Sequence, residues 1–406
     1  TLCFAAYAYL DDPIFVEDLE HSGIQVVCYC VPWLLQEKDG EVVDWNRLDR
    51  IVEKVGKMGR KLMLDPYAFN FKWKAFSWRP TAVPYHPGFE QRYTDALRKI
   101  TERYKNNPTL VAMWASSDTH DCDFRIDRSP EIRKLWADYL KNDRKFTLEQ
   151  LSQRYNRPVK SWDDVPQPAE DPRIPYNIGP LWDDYFSFHV HAYRNYLRRS
   201  IRTLRSVIPD LPITVRGPFI DAALNMSIAE EFPRVATHIE CVESSINTEG
   251  FYRSYAQSFK IPITAENGWP KASAPATRMA LADYLMGNYA ALTYSFAGPR
   301  WARESFPEFR QIAAVKREMA GAEYPQAELG LLLSDATLYA SRPPNLFSIE
   351  KLPSLELTLE QMGYPFTGVS AAFPRFGNFK VLLDSGSNYV FSPQLKQQLT
   401  DFIRRG

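Results

Sequence analysis

The sequence predicts a (β/α)8 barrel followed by a second, smaller α/β unit. Short apolar runs alternate with amphipathic helical stretches through eight strands over about three hundred residues, which is the rhythm of such a barrel. No Gly-rich phosphate loop follows the first strand, which argues against an open doubly wound nucleotide-binding sheet. Near Ala322–Ala327 the chain changes character, and further strand-like and helical runs follow. The barrel is therefore expected over residues 1–321 and the second unit over 328–406.

The barrel strands are read, in order, at Leu2–Leu10, Ile24–Pro32, Lys61–Pro66, Leu110–Ala115, Pro212–Gly217, Thr237–Val242, Ile261–Ala265 and Ala290–Phe296, each a run of apolar and β-branched residues. Helices are expected between most of them, at Pro13–His21, Trp45–Met58, Gly88–Tyr104, Trp182–Val207, Ser227–Phe232, Phe251–Ser258 and Pro275–Gly287. The third connection opens with a long loop, because Phe69–Pro87 is rich in aromatics and Pro. Between the fourth and fifth strands lies an insertion, at about residues 119–179, with helices at Ser129–Leu140 and Thr147–Tyr155 and a Pro-rich exit, Val165–Pro175. Loops after barrel strands build the active-site face, so this insertion is expected to shape a substrate cleft. Phe309–Gly321 reads as the helix that closes the barrel. Beyond it come strands at Leu329–Leu333, Pro365–Val369, Lys380–Leu383 and Val390–Ser392 and helices at Ser348–Met362 and Pro393–Arg405, the start of a flavodoxin-like unit that stops where another strand is expected.

The 406 residues carry 49 basic and 49 acidic side chains, a formal net charge of zero, which speaks against a nucleic-acid partner. No run approaches the length of a membrane span, and no basic-then-apolar leader opens the chain. An aromatic content of 14% excludes a disordered chain. The five cysteines, Cys3, Cys28, Cys30, Cys122 and Cys241, are an odd number without a C-x-x-C pair and read as small buried hydrophobes. That usage suits a cytoplasmic more than a periplasmic or secreted setting.

Candidate chemistry gathers at strand ends. Ile261–Pro270 delivers Glu266 at the end of the seventh strand, with Trp269 beside it as a flat face on which a sugar ring can stack. After the fourth strand, Asp118, His120 and Asp121 bring titratable groups to where a general acid is wanted, although Ser117–Thr119 reads equally as a helix cap. Arg216 ends the fifth strand, and Glu240 and Glu243 end the sixth with opposite parity, Glu243 being the one expected in the site. An ion pair between Glu243 and Arg216 would also account for both. Asp65–Tyr67 ends the third strand, and Trp33, Tyr67, Trp73, Trp78, Trp269 and Trp301 together suggest an aromatic cleft of carbohydrate size. The six histidines are scattered, and His189 and His191 on one helix point apart, so no metal site is expected.

Four stretches resemble a known family. GEVVDWNRLDRIVEKVGKMGRKLML, NPTLVAMW, IRKLWADYLKNDRKFTLEQLSQRYNRPVKSWDDVPQP and ITAENGWP are similar to segments of clan A glycoside hydrolases, most of all the β-galactosidases of glycoside hydrolase family 42. The terminal SNYVFSPQLKQQLTDFIRRG resembles part of the amidotransferase-like domain that follows the barrel in that family. The resemblance implies a retaining exo-acting β-glycosidase of glycosides or oligosaccharides, with two carboxylates about 5–5.5 Å apart. Glu266 maps onto the nucleophile. Clan members end the fourth strand with Asn-Glu, whereas this chain has Ser117–Asp118–Thr119; counting from Pro108 puts Asp118 at the acid/base position, and counting from Trp114 puts Thr119 there. The resemblance also implies a homotrimer formed through the second unit. The cysteine cluster that holds zinc in some members is missing, so neither zinc nor any other cofactor is expected. Two alternatives stand beside this reading: a non-catalytic sugar-binding barrel that has lost its acid, and a clan member with β-mannosidase, β-glucosidase or arabinosidase specificity.

Overall fold

The computed structural model describes residues 3–6, 24–31, 45–66, 83–116, 126–168, 179–216, 222–241, 260–267, 291–294, 327–333, 362–371, 373–377, 379–384 and 393–405, with single positions between them. Eight strands form one sheet: β1 (Cys3–Ala6), β2 (Val26–Cys30), β3 (Lys61–Asp65), β4 (Leu110–Trp114), β5 (Ile213–Arg216), β6 (Val235–Cys241), β7 (Ile263–Asn267) and β8 (Ala291–Tyr294). Their order is β1-β8-β7-β6-β5-β4-β3-β2 with every pair parallel. The two ends of that order, β1 and β2, lie against each other, so the sheet curls round into a TIM-barrel-like fold.

Several strand boundaries differ from expectation, two of them on the strands that carry Glu240 and Glu266. β6 starts at Val235, two residues before the expected Thr237, and β7 spans Ile263–Asn267 rather than Ile261–Ala265. Pro262 has no N–H to give to the ladder, and its carbonyl instead accepts from the Thr237 N–H at 3.0 Å, so β7 begins after it. The shift moves Glu266 from just beyond the strand to inside it.

The described helices follow their sequence signals. α1 (Trp45–Lys57) buries Leu48, Ile51, Val52 and Val55 along one stripe. It ends at Gly59, whose φ of 65° lets the Arg60 N–H reach back to the Val55 carbonyl at 3.1 Å. α2 (Pro87–Tyr104) has Pro in its first turn and His86 as its cap, Nδ1 accepting from the Gly88 N–H at 3.2 Å. In the insertion, α3 (Pro130–Asp138) is capped by Ser129 and runs on into a π-helical turn, Tyr139–Asp143. α4 (Leu148–Arg154) carries a reciprocal cap between Thr147 and Gln150. α5 (Pro180–Val207) is the longest helix described, and α6 (Ala222–Glu231) begins five residues before the expected Ser227. Ala222–Ala223–Leu224 are strong helix formers and extend that helix toward its N-terminus.

The main core fills the space between the sheet and the helices. Its densest part is aromatic: Phe89 stacks on Tyr93 with centroids 5.8 Å apart, and Tyr93 meets Tyr196 of α5 at 5.8 Å. A second, smaller cluster of Val26, Cys28, Met63 and Trp114 lies on the interior side of β2, β3 and β4. Cys28 lies buried in that cluster.

Beyond the barrel, β9 (Leu329–Leu333) lies between β10 (Thr367–Ser370) and β11 (Val381–Asp384) in a three-stranded parallel sheet. Helix α7 (Pro393–Arg404) contributes Leu395 to a cluster with Leu332, Val369 and Phe376. Gly330 on β9 leaves room for its neighbours: a Cβ there would lie 2.7 Å from the Leu382 side chain and 2.9 Å from that of Phe379, and both would have to shift. The Arg375 guanidinium grips the Glu230 carboxylate of α6, and the Gly368 N–H donates to Ser254 Oγ at 2.8 Å, joining this sheet to the barrel. The expected strand at Val390–Ser392 lies outside the described residues. No helix among the described residues is long and apolar enough to cross a membrane.

Candidate active site

Near the C-terminal ends of the barrel strands, backbone register relates three of the candidate positions, Arg216, Glu240 and Glu266. Ile213, Val215, Val235 and Ile263 belong to the core between sheet and helices. Alternation then assigns Thr214, Arg216, Ala236, His238, Glu240, Thr264 and Glu266 to the opposite parity, that of the barrel interior. Register makes two rows of this set. Arg216 pairs with His238 and His238 with Thr264; one step nearer the C-terminal rim, Glu240 pairs with Glu266 and Glu266 with Thr293. Two carboxylate-bearing positions thus stand side by side on adjacent strands.

The neighbouring strand ends are tightly held. Asp65, which ends β3, is wholly buried, and its carbonyl accepts from the Val31 N–H at 2.8 Å. β4 continues its ladder past Trp114, the Ala115 N–H donating to the Thr214 carbonyl at 2.9 Å. The Tyr93 hydroxyl donates to the Ala115 carbonyl at 3.4 Å from the helix side. Burial pushes the Tyr93 phenol well up, with Tyr196 and the Asp65 charge adding to the effect, so it stays a neutral donor. The segment that follows β4, where the acid is expected, therefore leaves from a strand end fixed on both sides.

The insertion stands at the rim of this face. α5 closes on β5 through the short turn 208–212, which puts its C-terminus at the opposite face of the barrel. With 28 residues it is about 42 Å long, so its first turns project beyond the strands. Those turns carry the insertion. The buried Asp184 carboxylate accepts from Arg154 Nε at 2.5 Å, Arg154 Nη2 at 3.0 Å and the Tyr155 hydroxyl at 3.0 Å, with Arg144 at 3.6 Å. Next to it, burial and then the Asp184 charge push the Asp183 carboxyl up. Trp136, fully buried, donates to the Pro166 carbonyl at 2.9 Å and packs edge-on to Tyr185.

Of the residues singled out from sequence, Glu266 is the fourth residue of β7 and Arg216 the last of β5. Trp33, Tyr67, Trp73, Trp78, Asp118, His120, Asp121, Glu243, Trp269 and Trp301 lie outside the described residues. Glu240, set aside in favour of Glu243, is the residue that register brings beside Glu266. The first described helix in the insertion is capped by Ser129, and the Ser117–Thr119 stretch lies outside the described residues. His189 and His191 do point apart: His189 Nδ1 meets the Tyr85 hydroxyl at 3.2 Å, whereas His191 lies 4.0 Å from Asp143.

A family model described as β-galactosidase, glycoside hydrolase family 42, matches residues 66–245, a stretch that runs from the end of β3 to just past β6 and includes the insertion. Over that stretch the chain is similar to the family 42 glycoside hydrolases. The β-galactosidase BgaB of Geobacillus sp. (strain Y412MC61) is 23% identical over 231 residues, covering 50% of this chain and 34% of the relative. LacZ of Heyndrickxia coagulans, also a β-galactosidase, matches with the same identity and coverage. The matched region thus spans about a third of the length of these curated relatives. Among solved structures, the β-galactosidase of the haloarchaeon Halorubrum lacusprofundi superposes with a TM-score of 0.74 at 17% identity, over 99% of this chain and 71% of that one. The Bacillus circulans sp. alkalophilus β-galactosidase gives 0.72 at 15% identity, over 94% and 66%. The apo family 42 exo-carrageenase of Bacteroides ovatus gives 0.67 at 12% identity, over 98% and 64%. At such identities these likenesses show the fold alone.

Proposed function

We propose that this protein is a retaining, exo-acting β-glycosidase, a β-galactosidase or a relative with another sugar specificity. Glu266 acts as nucleophile, and Asp118, four residues past Trp114, acts as acid/base. The observation that carries the reading is Glu266 near the rim of β7, at interior parity, in a parallel barrel related to family 42 enzymes. In a double displacement the Glu266 carboxylate attacks the anomeric carbon while the acid gives its proton to the leaving oxygen; water, deprotonated by the same acid/base, then releases the sugar. Trp33, Tyr67, Asp121, Arg216, Glu243, Trp269 and Trp301 are the candidates for holding the glycoside. The second unit is proposed to be amidotransferase-like and to assemble a homotrimer; its β10-β9-β11 order is the one with which flavodoxin-like sheets begin.

The departure from Asn-Glu at Ser117–Asp118–Thr119 keeps one other reading in play, a sugar-binding barrel without turnover. Intact-mass spectrometry after incubation with galacto-, gluco-, manno- and arabino-configured 2-fluoro glycosyl fluorides separates the two. Glycosyl fluorides need little acid assistance, so a covalent adduct on Glu266 is expected whatever residue serves as acid, and the sugar that reacts names the specificity. Glu266→Gln is expected to lose the adduct and turnover while keeping its thermal transition. Sugar binding with no adduct from any of the four would establish the binding module instead.

A further inference from the structure

Among the described residues of the barrel, β6 and β7 alone bring two carboxylate-bearing positions into register at the C-terminal rim, Glu240 opposite Glu266. In-register residues of parallel neighbours share a face, and such strands run about 4.8 Å apart. The charged and titratable positions of the same parity on the neighbouring strands are Arg216 on β5 and His238 on β6, one row below, with the buried Asp65 at the end of β3, three strands from β6; Thr293, on the β8 side of Glu266, does not titrate. Arg216 is one strand away from Glu240 and two strands away from Glu266. Its cation therefore favours the ionised form of Glu240 over that of Glu266, and the negative charge at 240 then opposes ionisation at 266.

We infer that Glu240 is a positioning residue for the nucleophile, acting through the Glu266 carboxylate rather than on the sugar. The inference rests on the glycosidase reading above. Glu240 stays ionised, and Glu266 is the member of the pair that takes up a proton as pH falls. A carboxylate held beside a like charge is more basic, and a more basic carboxylate is the stronger nucleophile toward an anomeric carbon. The arrangement was not visible in sequence because Glu240 and Glu266 become neighbours only through the pairing of β6 with β7.

The experiment is the rate of covalent inactivation by the reactive 2-fluoro glycosyl fluoride as a function of pH, in the wild-type chain and in Glu240→Gln and Glu240→Asp. The acid limb of that profile reports ionisation of the nucleophile. In the wild type its midpoint is expected above the ordinary glutamate value of about 4.3. Glu240→Gln removes the like charge, so its limb is expected to move down by about one unit or more, while Glu240→Asp, which keeps the charge, stays near the wild type. A Gln variant that is slower at every pH with an unmoved limb has lost only packing, and that result overturns the inference. So does a wild-type limb at the ordinary glutamate value, which needs no variant to fold. Absence of any adduct on Glu266 in the wild type overturns the glycosidase reading itself; an adduct with an unmoved limb overturns this inference alone.

Discussion

At the scale of single residues, what could be read from sequence depended on whether a side chain declares itself locally. Ser129, Thr147 with Gln150, and Gly59 each sit where their chemistry satisfies the end of a helix, and all are local signals. The place of Glu266 near the end of a strand was legible for a related reason, since a β-branched run ending in a carboxylate marks such an end. Asp184 was not legible. Within α5 it looks like one more polar helix residue, and only the folded insertion turns it into a buried acceptor for Arg154 and Tyr155. His191 is a second such case. Burial beside Tyr139 lowers its pKa below the ordinary 6.5, against the raising effect of Asp143 and with the help of Arg198, Arg194 and Arg199. The unfolded chain then binds that proton more tightly than the folded one. Stability is therefore full above about pH 6.5 and is lost as pH falls through the unfolded value toward the lower folded one. Comparing thermal midpoints of the wild type and His191→Gln from pH 7 to pH 5 isolates this contribution, because other titrations cancel in the difference. The wild type is expected to lose more stability than the variant on acidification, and parallel curves would show that burial of His191 does not penalise its charge.

At the scale of elements, strands and helices were largely legible, and their boundaries failed where backbone chemistry overrode composition. β7 begins after Pro262 because Pro cannot donate, although Ile261 looks like strand. The attachment of the insertion to α5 could not be read from sequence, since it joins segments about thirty residues apart through the buried Asp184 carboxylate and nearly fifty apart through the buried Trp136. That attachment is open to test. Arg154→Met keeps the length of the stem but leaves the Asp184 carboxylate, 1% exposed, with only Tyr155 and the more distant Arg144. Removing one partner of a buried ion pair costs about 3 kcal/mol or more. Asp184→Asn removes the buried charge itself and leaves guanidinium groups that are 28–29% exposed and able to turn to water. Arg154→Met is therefore expected to lose more stability than Asp184→Asn in urea unfolding at neutral pH. The reverse order would mean that the carboxylate is hydrated and that the hub does little to hold the insertion.

At the scale of the whole molecule, the barrel was predictable because eight alternations leave few other ways to bury eight apolar strands, and the observed order closes them into a ring. The candidate site could be read from sequence only as a place, the C-terminal rim, because its contents depend on which loops that rim carries. The sharpest question left by the sequence, whether the segment after β4 supplies a proton, is accordingly a question about the assembled rim. Two carboxylates on different strands must act on one bond, so the dependence of rate on the leaving group reports whether both are in place. An aryl glycoside departs as a weakly basic phenolate and needs little protonation, whereas an alkyl glycoside departs as a strongly basic alkoxide and needs the acid fully. With Asp118 serving, the wild type is expected to turn over both kinds of glycoside of its preferred sugar. Asp118→Asn is then expected to keep formation of the glycosyl-enzyme from the aryl substrate within about tenfold while losing the alkyl one by about a hundredfold or more, the usual worth of a general acid. If the wild type handles only the aryl glycoside, the rim lacks an acid. Equal losses on both substrates would mean that Asp118 holds the sugar rather than protonating the leaving oxygen, and Asp121 would then be the next residue to replace.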